Sequence, residues 1–198
     1  MKSKKGFILY FDILGYKNIV NNTTPKNSER LKYLLDVYSE RQGNLNFALI
    51  FNKGYINNRD KLMMRCFSDN FLFLYENRSY EECDTKVKKY NYFNTLNNII
   101  GIASLIQNQF IEQGILTRGS ISFGEISFNS RIIYGKSLIK AVELEENHKE
   151  PSIVVDEYFK TIEDRELYLY KEYVSPFICW NNSKLDHKTI VKGINLNK

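Results

Sequence analysis

The sequence predicts an α+β fold with elements in the order β-α-β-β-α-β, and three observations predict it. Near the N-terminus, "FILYFDI" (7–13) is aromatic and aliphatic from 7 to 11, without proline, and reads as a buried strand. "LMMRCFSDNFLFLY" (62–75) places Ser, Asp and Asn between two apolar arms, which signals a hairpin. "YFNTLNNIIGIASLIQNQFIEQG" (92–114) is a long amphipathic helix closed by a glycine. With one more helix after the first strand, this is the split βαβ, ferredoxin-like plan.

The remaining elements follow in order. "SERLKYLLDVYSERQ" (28–42) opens on Ser28 as an N-cap and spaces Leu31, Leu34, Leu35 and Tyr38 for a helix. "NKGYINNRD" (52–60) is a loop. "RSYEECDTKVKKY" (78–90) is a polar insertion or the start of a helix. "ILTRGSISFGEISF" (115–128) alternates as a strand does, "GKSLIKAVELEEN" (135–147) is a helix, and "SIVV" (152–155) is a buried strand. A short helix capped by Asp156 follows, then strands near 167–174 and 176–180. These make a C-terminal αβ extension to the βαββαβ core.

The bulk properties bound the answer. At 198 residues the chain is expected to form one domain, 1–198, with a sizeable core. Its hydrophobic content of 43% and charged content of 26% suit a water-soluble globular protein. No apolar run approaches the length of a bilayer span. The start, "MKSKKGFILYFDILGY", is basic and then apolar like a secretion signal. Asp12 interrupts it and no small-residue cleavage site follows, so it is read as a strand. Cys66, Cys83 and Cys179 are odd in number and lack a CxxC pair. That argues against a disulfide framework or structural zinc and fits a reducing cytoplasm. A net charge of +5, spread along the chain, suits an anionic small ligand as well as nucleic acid.

Asp12 is the residue that does not belong in a buried strand. In the split βαβ plan the end of the first strand lies beside the hairpin, so Asp12 and Asp69 are expected to meet at one edge of the sheet. Two carboxylates there repel unless a cation lies between them, and Mg²⁺ or Mn²⁺ is the natural filler. Taken singly, Asp12 reads first as the cap of the following turn and Asp69 as a hairpin-turn residue; it is the pair in this strand order that points to a cation.

Four motifs in this order carry a resemblance. "FDILGY" resembles the first signature of class III nucleotide cyclases, and "FSDNFLFLY" their hairpin with the second metal aspartate. "TRGSISFGEI" is similar to the family's Arg-x-Gly-Ile strand, and "IYGKSLIKAVELEE" to its glycine followed by the catalytic helix. The likeness spans about residues 7–155. Within the family the chain looks most like the pyrimidine cyclases of the bacterial Pycsar antiphage system.

The resemblance implies conversion of UTP or CTP to the cyclic monophosphate by two Mg²⁺ or Mn²⁺ ions per site. It implies a homodimer with sites at the interface, and a separate cyclic-nucleotide-sensing effector downstream. Neither nucleic acid nor a membrane is implied as a partner. By resemblance, Asp12 and Asp69 hold both metals and Ile13 lends its backbone carbonyl. The turn through Gly15 and Tyr16 faces phosphate, and Arg118 grips triphosphate oxygens unless it serves a structural ion pair. Arg65 stands at the base-selecting position, unless it is an outward-facing strand residue. The residue near Ile132, where adenine recognition wants an acid, is apolar. The family's helix asparagine is replaced by Ile139 and its arginine by Glu143, so Lys140 is the expected transition-state cation. Glu143, Glu145 and Glu146 read as a solvated face, and His148 and His187 as surface residues. Two other readings stand beside this one: a catalytically degenerate nucleotide-binding or dimerisation module, and a palm-type oligonucleotide synthase. The single acid of "FSDN" favours the latter least.

Overall fold

The first strand, β1 (Lys4–Ile13), is apolar from Phe7 to Phe11 because both of its faces are covered there, and Asp12 breaks the run near its end. The computed structural model describes residues 4–22, 24–40, 61–76, 85–129, 131–156 and 178–180. Phe7, Leu9, Phe11 and Ile13 of β1 point to one side of the sheet. Ile8 and Tyr10 point to the other, and the period-two alternation puts Asp12 with them.

After β1 come α1 (Tyr16–Asn21), α2 (Pro25–Glu40), the hairpin strands β2 (Lys61–Phe67) and β3 (Asn70–Glu76), and α3 (Thr85–Glu112). Then follow β4 (Thr117–Phe128), β5 (Ile133–Tyr134), α4 (Lys136–Asn147), β6 (Ile153–Val155) and β7 (Ile178–Trp180). The sheet order is β2-β3-β1-β4-β6-β7, with β5 pairing off β4. Strands β2, β3, β1 and β4 are antiparallel neighbours, the expected split βαβ arrangement. β6 and β7 extend it in parallel from β4. The fold is a mixed α+β fold.

Leu31 of α2 and Leu96, Ile99, Ala103, Ile106 and Phe110 of α3 cover the Phe7–Phe11 side of the sheet. Beneath the end of β1, Phe11 stacks on Phe71 at 4.9 Å and meets Phe110 edge-on at 6.3 Å. Burying each such ring contributes roughly 1.5–3 kcal/mol, which makes this end of the sheet a firm platform. The opposite side carries α4, whose Ala141 joins Ile8, Leu74, Ile126 and Phe128.

Several element ends differ from the sequence expectation. The second helix starts at Pro25 rather than after Ser28. The Asn27 amide donates to Thr24 Oγ1 at 3.3 Å, so Thr24 is the cap and Pro25 the first helical residue. Residues 78–90 resolve toward the helical alternative from Thr85 onward. α3 ends as expected at Gly114, whose φ is 72°. Ile115 N donates to Phe110 O at 2.9 Å and Gly114 N to Ile111 O at 2.8 Å, the paired bonds of a Schellman cap. The short elements α1 and β5 were not anticipated. They have six and two residues, too few to show a period. The expected loop at 52–60, the helix after Asp156, the strand near 167–174 and His187 lie outside the described residues. Among the described residues, no helix is long and apolar enough to cross a membrane.

Candidate functional site

Strand register assembles the site. Asp12 is paired with Asn70 of β3 on one side and with Arg118 of β4 on the other. Asn70 in turn pairs with Phe67 of β2. One row, Phe67-Asn70-Asp12-Arg118, therefore crosses four strands at one end of the sheet, on the side that carries α4. Asp69 lies in the two-residue turn beside it, where Ser68 takes a φ of 57°. The Ile13 amide donates to Asp69 O at 3.3 Å, which clamps the turn to the end of β1.

Gly119 makes the β1–β4 pairing possible at this point. A Cβ there would lie 2.4 Å from Tyr10 O and 2.5 Å from Phe11 Cβ. Only a residue without a Cβ allows the two backbones to approach this closely.

The two aspartates interact as like charges. Burial first, and then the negative charge of Asp69 and Glu145, push the Asp12 carboxyl up from 3.8 to about 6. Arg118 opposes this only in part. Arg118 Nη2 is 3.6 Å from Asp12 Oδ2. Asp12 Oδ1 is buried and accepts no hydrogen bond from any described residue. A buried acceptor left so costs about 1–3 kcal/mol, and more when charged, unless a proton or a cation takes it.

These residues fit a divalent metal. Among the described residues no cluster of three or more His, Cys, Asp or Glu converges. Asp12 and Asp69 would offer a metal an all-oxygen, partial shell at the end of β1. That suits Mg²⁺ or Mn²⁺, hard cations that complete their coordination with water and substrate phosphate.

Three residues that the sequence reading did not assign to the site belong to it. Tyr10 donates its hydroxyl to Asn70 Oδ1, and Asn70 Nδ2 donates to Asp69 Oδ1 at 3.3 Å. This chain orients the Asp69 carboxylate. Burial, reinforced by Glu145, Asp12 and Asp69, raises the Tyr10 hydroxyl to about 12, so it remains a donor.

The third is Glu145, and here the expectation is corrected. Glu145 is not on a solvated face. Its side chain is 4% exposed and accepts a hydrogen bond from Arg118 Nε. Ser137, Ala141 and Glu145 form one buried stripe of α4 at four-residue spacing. Two small residues at that spacing mark the side that touches the sheet, and Glu145 continues it by one turn. That signal was present in the sequence.

The other expected site residues lie elsewhere. Arg65 is on the same side of the sheet, in the adjacent row with Leu72, Tyr10 and Ser120. Gly15 has a φ of 72° and caps α1, and Tyr16 packs partly against the core. Lys140 is more than a turn from Glu145, with its Nζ 2.7 Å from Oδ1 of the buried Asp156. Ile139 is 61% exposed. His148 is not a surface residue. It is half-buried at the end of α4, in a hydrogen bond with Ser152 Oγ. Its pKa is lowered mainly by burial, with Arg118 contributing.

No family model matches the chain, and no curated protein matches it. Solved structures do. The guanylyl cyclase Cya2 is similar at 13% identity and a TM-score of 0.48, over 83% of this chain and 81% of that one. The catalytic core of a rhodopsin-guanylyl cyclase with converted specificity, in complex with ATPαS, is similar at 15% identity and 0.47, over 81% and 80%. A class III adenylyl cyclase-like ATP-binding protein from Pseudomonas aeruginosa is similar at 15% identity and 0.48, over 83% of this chain and 36% of that one.

Proposed function

We propose that the protein is a nucleotide cyclase of the class III type, converting a nucleoside triphosphate into its 3′,5′-cyclic monophosphate and pyrophosphate. One observation carries the reading: Asp12 and Asp69, distant in sequence, share one sheet end, with a buried Asp12 oxygen that no described residue partners and Arg118 opposite. In this reading the ribose 3′-oxygen attacks the α-phosphorus, the bond to the β-phosphate oxygen breaks, and pyrophosphate leaves.

When bound, two Mg²⁺ or Mn²⁺ ions supply acidification of the 3′-hydroxyl and charge neutralisation on the phosphates. Asp12 and Asp69 hold them, with the Ile13 carbonyl as a further oxygen donor. The Tyr10–Asn70 chain fixes the Asp69 carboxylate, and Arg118 presents positive charge to the triphosphate. Lys140 neutralises the α-phosphate, reaching the Asp12 site of a partner copy in a symmetric homodimer. The turn at Gly15 and Tyr16 borders the phosphates.

The substrate class we assign is a pyrimidine triphosphate, UTP or CTP, on the strength of the sequence resemblance. It is supported by Arg65 at the base-selecting position and by the absence of an acid at Ile132. A role in antiphage defence, signalling to a separate effector from the cytoplasm, rests on that resemblance alone. Incubating the protein with each of the four triphosphates and Mn²⁺, with products identified by mass, tests the whole reading. Cyclic UMP or cyclic CMP is expected. Cyclic AMP alone overturns the substrate class, and no cyclic product overturns the activity.

A second reading has its own observation. Ile139 is exposed where the family has asparagine, and Lys140 already pairs with Asp156. Both fit a nucleotide-binding module that no longer turns over. It predicts triphosphate binding with no cyclic product.

A further inference from the structure

Arg118 stands between two carboxylates and is held unequally by them. Its Nε makes a close hydrogen bond to Glu145, whereas its Nη2 stays 3.6 Å from Asp12 Oδ2. Charge-assisted hydrogen bonds of this type close to about 2.7–2.9 Å when nothing prevents it. The guanidinium is therefore kept short of full contact with Asp12.

What keeps it there is the seating of α4. Ser120 Oγ donates to Ala141 O at 2.6 Å and Ser122 Oγ donates to Ser137 O at 2.7 Å. These two buried bonds pin α4 along β4, so Glu145 cannot follow Arg118 toward β1. No other side chain among the described residues bonds to Arg118.

We infer that Glu145 is a positioning residue that tethers Arg118 away from Asp12, leaving the carboxylate pair open to a divalent cation. Released from Glu145, Arg118 is free to close on Asp12 and occupy the cation's place with its own charge. This inference rests on the proposed metal site of Asp12 and Asp69. It goes beyond that proposal by assigning the buried Glu145 to metal affinity rather than to the fold.

The test is Mn²⁺ binding to the full chain, read from the electron paramagnetic resonance of free Mn²⁺ without nucleotide. Glu145→Leu is expected to weaken binding by about tenfold or more, the usual cost of losing an outer-shell partner. Adding Arg118→Ala to that variant is expected to restore binding to at least the wild-type level, because nothing is left to close on Asp12. A structural role for Glu145 produces no such rescue. Glu145→Gln keeps the shape and an acceptor for Nε, so it folds even where leucine does not. It is expected to show a smaller loss, again cancelled by Arg118→Ala. A loss that persists in the double variants overturns the inference, and so does undiminished binding in both single variants. Absence of Mn²⁺ binding by the wild-type protein overturns the metal site itself, and the inference falls with it.

Discussion

Asp12 and Arg118 face each other across the β1–β4 pairing, Nη2 to Oδ2 at 3.6 Å, while Asp12's other oxygen is buried without a hydrogen-bond partner among the described residues. The relationship is one of incomplete neutralisation. Arg118 offsets part of the charge on Asp12, Asp69 adds to it, and the balance leaves room for a cation.

Asp12→Ala and Asp69→Ala are each expected to abolish cyclic-nucleotide formation. Either change removes an acid proposed to hold both metals. The variants are expected to fold, because both acids stand at the rim of the sheet and not within its aromatic core. Product assays together with circular dichroism decide this. Wild-type turnover in Asp69→Ala would remove that residue from the metal site.

The raised Asp12 pKa has a definite sign in stability. Folding raises it from 3.8 to about 6, so between these values the folded protein binds more protons than the unfolded chain. Stability from this group is present at low pH and is lost as pH rises through about 6. In metal-free buffer, the melting temperature of the wild-type protein, compared with Asp12→Asn, should therefore fall across this window. At pH 7 Asp12→Asn should be the more stable. Saturating Mg²⁺ should narrow the gap, since the cation takes the proton's place. Parallel pH profiles for the two proteins would contradict the assignment.

Lys140 and Asp156 form an ion pair of 2.7 Å, with Asp156 buried and Lys140 half-exposed. As the proposed transition-state cation, Lys140 should show its loss in the maximal rate. Lys140→Ala is expected to lower it by about a hundredfold or more, with little change in apparent substrate affinity. Asp156→Asn breaks the same pair but leaves the ammonium, so it should retain turnover. Equal loss of rate in the two variants would confine Lys140 to holding α4 on the sheet.

Gly119→Ala should be strongly destabilising, because the new methyl would collide with Tyr10 O and Phe11 Cβ. Overpacking of this kind costs about 1–3 kcal/mol and sometimes more. Here the clash is with backbone, which cannot rotate away. A urea midpoint unchanged from wild type would show that β1 and β4 are not this close.

The sequence by itself determined the elements whose signals are local. The apolar run Phe7–Phe11 of β1 marks burial on both faces. Ser-Asp-Asn between apolar arms marks the hairpin, and Gly114 after a long periodic stretch marks the end of α3. Each depends on neighbours within a few residues, so it can be read in one dimension. The order of these elements also implied that Asp12 and Asp69 meet, because the split βαβ plan admits few ways to stack them. Only the tertiary structure decided the rest. Arg118 faces Asp12 through the register of two strands separated by more than a hundred residues of sequence, and no local pattern fixes that register. Glu145 lies in a run of acids that looks solvated, and although its spacing from Ser137 and Ala141 marks the side of α4 it shares, nothing local shows that Arg118 meets it there. It is buried because α4 lies close along β4, where Ser120 and Ser122 bond to its backbone. Lys140 meets an acid that follows β6, a contact set by the parallel pairing of β6 with β4. In each case the partner of a charge is chosen by where the chain returns in space. A charged side chain carries no mark in sequence of which opposite charge will be brought to it.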